Sequence, residues 1–164
     1  MALYAERWFS LEVVMAVVMA ESKSRSAPWP HVWADQAALL ECQHDRLEAF
    51  LLELVLRHGP EQPPWGAADA LAVEGACRRL LWDLRLHLRL EERWLSAQGC
   101  LCPGHRSAHR DALQAALSGF LYASGDRYGR YLWLQALQSW FLEHRQGADA
   151  RAYASADALA HHQS

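Results

Sequence analysis

The stretch that decides the fold reads LHLRLEERWL at 86–95, CPGHRSAHRDAL at 102–113 and WFLEHRQGAD at 140–149. Each part contains a pair of side chains of the types that bind metal ions. The first two pairs are four residues apart, so both members of each pair point from one face of a helix. The third pair is five residues apart and spans a glycine, which is typical of a helix that loosens at its end. The pairs are His87 with Glu91, His105 with His109, and His144 with Asp149.

Apolar residues surround all three pairs. An imidazole or a carboxylate without a partner is costly to bury among such residues, and a bound metal ion removes that cost. A further histidine, His44, falls on the same helical stripe as Leu40 and Leu47. A lone histidine on an apolar face is more often a satisfied core residue than a ligand. The three pairs elsewhere in the chain favour the ligand interpretation of His44.

Four amphipathic segments predict an all-α fold, an antiparallel up-down-up-down four-helix bundle with an extra N-terminal helical segment. No segment of the sequence alternates β-branched and polar residues as a strand would. A break rich in glycine and proline, HGPEQPPWG at 58–66, separates the first two segments. The helices are predicted to begin near 33–36, 67, 103 and 126, and to end near 57, 97, 122 and 146, respectively.

The N-terminal segment predicts a separate element. Residues 11–20, LEVVMAVVMA, are apolar but carry Glu12 and are too short to span a bilayer. No basic region precedes them as a secretory signal would require, so no transmembrane segment or leader is expected. The segment is interpreted as a helix that packs on the domain or on a partner subunit through residues 1–27, with a membrane-surface role as the weaker alternative.

Three regions are therefore predicted along the chain. Residues 1–29 form the apolar helix and a polar linker, residues 30–155 form the bundle, and residues 156–164 form a tail. The tail is rich in alanine and is expected to begin as a short helix at most. Its terminal histidines resemble a frayed chain end and are not counted as ligands.

Composition and charge narrow the class of protein. The formal net charge is −3 and the arginines are scattered among carboxylates, so no nucleic-acid partner is expected. The four cysteines do not form a disulfide framework, and a reducing, cytoplasmic location is predicted. Cys100 and Cys102 with His105 match no usual zinc spacing, so a zinc site there is the minor alternative.

The number and type of the candidate ligands predict a centre with two metal ions. Five imidazoles and two carboxylates exceed what a tetrahedral zinc ion needs. Two octahedral iron ions bridged by both carboxylates would use them all and leave one coordination position open. Carboxylate-rich di-iron bundles that activate oxygen use Glu-x-x-His pairs, whereas this chain has His-x-x-x-Glu and more imidazole. A nitrogen-rich centre is expected to bind oxygen reversibly more readily than to cleave it.

Over residues 30–155 the chain resembles the hemerythrins, and most closely the bacterial members, the bacteriohemerythrins. The family has a histidine on the first helix, H-x-x-x-E on the second, H-x-x-x-H on the third and H-x-x-x-x-D on the fourth. Flanking residues are similar as well, namely Gln43, Glu92, Pro103, Trp140 and Tyr153. The positions that match the family ligands are His44, His87, Glu91, His105, His109, His144 and Asp149.

The resemblance implies a role for each ligand. A first iron ion would be bound by His105, His109 and His144, which would complete its coordination. A second would be bound by His44 and His87. Both irons would be bridged by Glu91 and Asp149, beside one oxygen atom from water. Molecular oxygen would bind as hydroperoxide at the open position of the second iron. The chain departs from the family at Phe141 and Arg145, where smaller aliphatic residues are usual.

The resemblance implies a non-enzymatic oxygen-binding protein for storage, delivery to an oxygen-consuming enzyme, or sensing. The alternative is a hemerythrin-like di-iron enzyme, such as a peroxidase or oxidase, or a protein that handles nitric oxide. A third interpretation is a helical protein whose iron or zinc serves structure only. The predicted lining of the oxygen pocket, with ordinary core packing as the alternative for each residue, is Leu47, Trp94, Trp140 and Phe141.

Overall fold

The computed structural model describes residues 36–162, and this part of the chain is helical with no strand. The all-α prediction is therefore confirmed for the described residues. The predicted N-terminal helix and its linker, residues 1–29, lie outside them. The elements in chain order are α1 Gln36–His58, α2 Ala67–Ala97, α3 Pro103–Tyr122, α4 Arg127–His144, a π-helical turn Arg145–Asp149 and α5 Ala150–His162.

Local sequence signals determine where the helices begin and end. The predicted bounds 67–97 and 103–122 coincide with α2 and α3. Helix α3 begins where the Cys102 sulfur accepts the His105 backbone N–H at 3.3 Å, with a proline in the first turn. Helix α4 begins where the Asp126 carboxylate accepts the Tyr128 N–H at 3.0 Å. Gly99 follows α2 with φ +71°, a left-handed conformation that glycine adopts without strain.

The end of the fourth helix differs from the prediction. A helix that loosens near Gly147 was expected, but the chain continues through the π-helical turn into α5, which reaches His162. The predicted tail is thus mostly helical. A π-helical turn closes i→i+5 hydrogen bonds, so it accommodates one extra residue without ending the helix. The alanine-rich sequence that follows has a high helix propensity and sustains α5.

The helices pack against one another around two apolar clusters. Helix α1 packs on α2 and α4, α3 packs on the same two helices, and α5 contacts α2. The larger cluster includes the fully buried residues Leu51, Leu54, Leu80, Leu84 and Leu134. The smaller cluster consists of Leu40, Trp94, Leu95, Ala152 and Ala156.

A polar layer separates the two clusters along the helices. On α1 the fully buried His44 lies between Leu40 of the smaller cluster and Leu47 of the larger. On α2 the same change occurs at Glu91, which is also fully buried. Each buried polar group costs free energy unless it has a partner. Buried polar groups at the same level of neighbouring helices therefore indicate that they interact with one another or with a bound ion.

The loop after α1 is held by one arginine of α4. The Arg127 guanidinium donates to the carbonyls of Gly59 and Pro63, each at 2.8 Å, and stacks 4.8 Å from the Trp65 ring. The opposite side of the loop holds His58, whose ring meets Trp65 edge-on at 4.8 Å. These contacts connect the loop after α1 to the first turn of α4.

Gly119 provides a test of the packing between α3 and α4. A Cβ atom at this position would lie 2.3 Å from Cδ1 of Trp133, whose indole N–H donates to the Ala116 carbonyl at 3.0 Å. Gly119→Ala should lower the free energy of unfolding by about 1–3 kcal/mol through overpacking. Gly75→Ala is the matched control, because nothing lies within 4 Å of its Cβ, and it should stabilise by roughly 0.4–1 kcal/mol. Urea unfolding of the metal-free protein measures both, and equal values would contradict the packing.

Protonation of His58 is expected to contribute to the pH dependence of the free energy of unfolding. Its ring nitrogen Nδ1 lies 2.7 Å from the Leu54 carbonyl oxygen, and burial lowers the pKa of His58 below 6.5, assisted by nearby arginines. The unfolded chain therefore binds the proton more tightly than the folded protein does. The contribution of neutral His58 to the free energy of unfolding is complete above pH 6.5 and is lost as pH falls through the folded pKa.

His58→Gln keeps a donor for the Leu54 carbonyl and removes the titration. Below pH 6.5 the unfolding free energy of the wild type should fall more steeply than that of the variant, by up to about 1.4 kcal/mol per pH unit. Urea unfolding of both metal-free proteins between neutral and acidic pH measures the difference. Parallel curves would show that His58 does not titrate as its burial requires.

Candidate metal centre

The structure places the predicted ligands together in one buried layer. None of the seven side chains belongs to a residue that is more than 8 % exposed. They form two groups that share Glu91, and within each group one ligand atom per residue lies within 4.8 Å of the others. The larger group contains Glu91, His105, His109, His144 and Asp149. The smaller group contains His44, His87 and Glu91.

Three imidazole nitrogens converge in the larger group. Nε2 of His109 lies 2.9 Å from Nε2 of His105 and 2.8 Å from Nε2 of His144. Each spacing is that of an imidazole N–H···N hydrogen bond in the metal-free protein, and the three nitrogens are also close enough together to bind one metal ion whose ligands lie about 2.0–2.1 Å away.

The two carboxylates face both groups. Oδ1 of Asp149 lies 3.0 Å from Nε2 of His144, and its Oδ2 lies 3.3 Å from Nε2 of His44. Oε2 of Glu91 lies 3.3 Å from Nε2 of His109, while Glu91 also belongs to the smaller group. Each carboxylate is thus in reach of donors on two sides, as a carboxylate that bridges two metal ions must be.

The π-helical turn brings the third pair into the layer. His144 is the last residue of α4 and Asp149 is the last residue of the turn, five positions later. Because the turn closes i→i+5, residues five apart share one face, as residues four apart do on an α-helix. The five-residue spacing, which predicted a loosened helix end, thus corresponds to a π-helical turn. It allows α4 and α5 to continue as one rod that supplies two ligands.

Several atoms of the layer are buried without a hydrogen bond. Within residues 36–162, both nitrogens of His44, Nε2 of His87, both oxygens of Glu91 and Oδ1 of Asp149 have none, despite the short distances among them. Each such group costs about 1–3 kcal/mol when it is left unsatisfied. A cation that accepts their lone pairs would remove that cost for most of them at once.

The protonation of the larger group shows the same demand for positive charge. Burial alone would raise the pKa of the Glu91 carboxyl, but the imidazoles of His105 and His109 outweigh it and lower that pKa to about 2. Burial would lower the pKa of His105, but the carboxylates of Asp149 and Glu91 raise it to about 9. In the metal-free protein, protons on these imidazoles therefore supply the charge that a metal ion would supply.

The smaller group is different. Burial, reinforced by the neighbouring His44, lowers the pKa of His87 to about 4. His87 is consequently neutral at physiological pH, which is the form that binds a metal. Its ring lies 4.4 Å from the ring of His44, centroid to centroid.

Side chains behind the ligands orient two of the imidazoles. Nδ1 of His87 lies 3.1 Å from the Gln43 amide oxygen, and Nδ1 of His109 lies 3.2 Å from a Glu92 carboxylate oxygen. Partners of this kind hold the other ring nitrogen toward the metal position. Oε1 of Glu41 lies near Nδ1 of His44, at 3.5 Å, but the two atoms form no hydrogen bond. The position of Glu41 one helical turn before His44 is a sequence signal that the predicted ligand pattern does not include.

The predicted pocket residues lie at different distances from the two groups. The Phe141 ring contacts the rings of His44 and His87, with centroids 5.8 and 6.1 Å apart. Trp140 stacks on His144 at 4.8 Å, beside the larger group. Trp94 lies one ring further out, against Tyr153, and Leu47 belongs to the larger apolar cluster.

Tyr153 adds a buried hydroxyl to the wall of the site. Its ring stacks 6.0 Å from that of His44, and its hydroxyl has no hydrogen-bond partner among the described residues. Burial and the negative charge of Glu91 raise the pKa of Tyr153, so the phenol keeps its proton.

Comparison of the chain with protein-family models, with curated proteins and with solved structures gives no significant match. Among the helices of residues 36–162, none is both long and apolar enough to cross a membrane. The geometry of the layer is therefore the main basis for a functional conclusion.

Arg145 connects the π-helical turn to α1. Its guanidinium donates to carboxylate oxygens of Glu41 at 2.9 Å, Asp45 at 2.6 Å and Glu48 at 2.8 Å. An aliphatic side chain at this position could not make these contacts. The connection restrains the turn that carries Asp149 against the helix that carries His44.

Arg145→Gln should lower the free energy of unfolding of the metal-free protein by about 1–2 kcal/mol, because three neighbouring carboxylates lose their cation. The loss should shrink in 1 M salt, where charges are screened within about 3 Å. Arg57→Gln is the control, since Arg57 makes only an exposed 3.7 Å pair with Glu53 and should change stability by less than about 0.5 kcal/mol. Urea unfolding at both salt concentrations tests this, and an equal, salt-independent loss would exclude the electrostatic connection.

Proposed function

We propose that this protein binds two iron ions in the polar layer and binds molecular oxygen reversibly at one of them, as the hemerythrins do. The observation that carries the proposal is the division of seven buried donors into two groups that share Glu91 and that both face Asp149. One metal ion would need only one group. Two groups joined by carboxylates are the arrangement expected of a dinuclear centre.

The proposed architecture is an antiparallel up-down-up-down four-helix bundle. Short connections, residues 59–66, 98–102 and 123–126, join helices that pack on one another, which favours antiparallel neighbours. Such a bundle presents the faces of four helices to one interior level. That property supports a centre whose ligands come from every long helix.

The donor set supports iron. The five protein donors of the larger group exceed the four that a tetrahedral zinc ion needs, and a mixture of imidazole and carboxylate suits iron. The larger group offers five protein donors to one ion. The smaller group, with Asp149 added, offers four to the other ion, so an external ligand such as oxygen has a position there. When bound, the two irons supply the electrons that make oxygen binding reversible.

The surrounding side chains have tasks of their own. Phe141, 2 % exposed, covers the smaller group and excludes water from it. Tyr153 holds a proton on its hydroxyl oxygen beside the charge of Glu91. Burial of the smaller group beneath an aromatic ring favours a carrier that stores or delivers oxygen, and the same binding would serve a sensor. The protein is proposed to be a binding protein and not an enzyme.

One observation favours a second function, a di-iron oxidase or peroxidase. Tyr153 and Trp94 meet edge-on at 4.8 Å beside His44, and both side chains can be oxidised. Such a pair could pass electrons from an external reductant to the centre. Turnover of a reducing substrate with peroxide would support this second function over the first.

The test combines iron content with visible spectra of the full-length protein, reduced without air and then exposed to air. The expected result is two iron ions per chain and a colour that appears with oxygen and disappears on its removal. His87→Ala should abolish the reversible colour while the larger group retains iron, because His87 belongs to the smaller group. His58→Gln, a buried histidine outside the layer, should behave as wild type.

Three outcomes would contradict the proposal. Absence of iron from the wild type would exclude the centre. Irreversible oxidation on mixing with air would exclude a carrier and favour the oxidase. A wild-type spectrum from His87→Ala would show that the donor groups are wrongly divided.

A further inference from the structure

The partners behind the two best-supported ligand imidazoles differ in charge. The partner of His87, in the smaller group, is the neutral amide of Gln43 at 3.1 Å. The partner of His109, in the larger group, is the carboxylate of Glu92 at 3.2 Å. Both contacts are made by Nδ1, the nitrogen that faces away from the other ligands. The two groups are therefore supported by chemically unequal side chains.

An imidazole that binds a metal through Nε2 carries its proton on Nδ1. A carboxylate draws on that proton more strongly than an amide oxygen, because the resulting hydrogen bond is assisted by charge. The ring then donates more electron density to the metal, which favours the higher oxidation state. Glu92 should act in this way on the larger group, and Gln43 should act much less on the smaller group.

The carboxylate near His44 does not remove this difference. Glu41 lies 3.5 Å from Nδ1 of His44, but its other oxygen is held by the Arg145 guanidinium at 2.9 Å. That guanidinium also holds Asp45 and Glu48. The Glu41 carboxylate is thus engaged with a cation, and Nδ1 of His44 makes no hydrogen bond. Of the two carboxylates behind these imidazoles, Glu92 is the one that lies within hydrogen-bond distance of its ring nitrogen, at 3.2 Å.

We propose that Glu92 and Gln43 are positioning residues that make the two iron positions unequal. Glu92 lowers the reduction potential of the iron in the larger group, and Gln43 leaves that of the smaller group higher. This inference rests on the proposed di-iron function. It assigns the first electron lost to the iron with five protein donors, so the iron that would bind the external ligand stays reduced longer.

The test exchanges the two partners. Glu92→Gln, Gln43→Glu and the double exchange are loaded with iron(II) without air, and the two reduction potentials are measured by redox titration. Glu92→Gln should raise the lower of the two reduction potentials, and Gln43→Glu should lower the higher one. Each variant should therefore bring the two potentials closer together. The double exchange should reverse the order of the two sites. Iron(II) affinity, measured by chelator competition, should fall by about ten- to hundredfold in Glu92→Gln.

The control is Glu143→Gln, which removes an exposed carboxylate one residue from His144, as Glu92 is one residue from Glu91. It should leave both potentials and the iron affinity unchanged. A purely structural role for Glu92 and Gln43 would weaken iron binding without moving the potentials separately. That result, with iron bound to the wild type, would overturn this inference alone. A wild type that binds no iron would overturn it together with the proposed function.

Discussion

The burial of ionisable groups at one level of the helices constrains the whole structure. Seven imidazoles and carboxylates lie in a layer where none of the residues is more than 8 % exposed. Unpaired charges at that depth cost several kcal/mol each, and a hydrophobic core cannot offset many of them. The layer is stable only with positive charge among its donors, either as protons on His105 and His109 or as metal ions.

The rest of the fold serves to hold that layer in register. One apolar cluster lies on each side of it along α1 and α2, so the helices cannot slide without exposing leucines to polar groups. The π-helical turn allows α4 to continue into α5 while His144 and Asp149 both face inward. Arg145 then connects the turn to α1. Side chains outside the layer, such as Gln43 and Glu92, aim the rings from behind.

The part of the structure that follows from local rules was predictable. Helices α2 and α3 have the predicted bounds, because prolines, glycines and capping residues act within a few positions of themselves. The end of α4 was predicted wrongly for a physical reason. A histidine and an aspartate five apart around Gly147 are compatible with a frayed end and with a π-helical turn. The contacts of Arg145 with Glu41, Asp45 and Glu48, about a hundred residues away in sequence, are consistent only with the ordered turn.

The sequence by itself determined that four long helices form and that His87 with Glu91 and His105 with His109 share a face, since a spacing of four residues translates directly into helical geometry. Tertiary structure alone decided how the seven residues divide into two groups, that Glu91 belongs to both, and which oxygens of Asp149 face His44 and His144. It also decided which side chains lie behind each imidazole. These features depend on how far each helix is displaced along its neighbours, and no local spacing in the chain records that displacement.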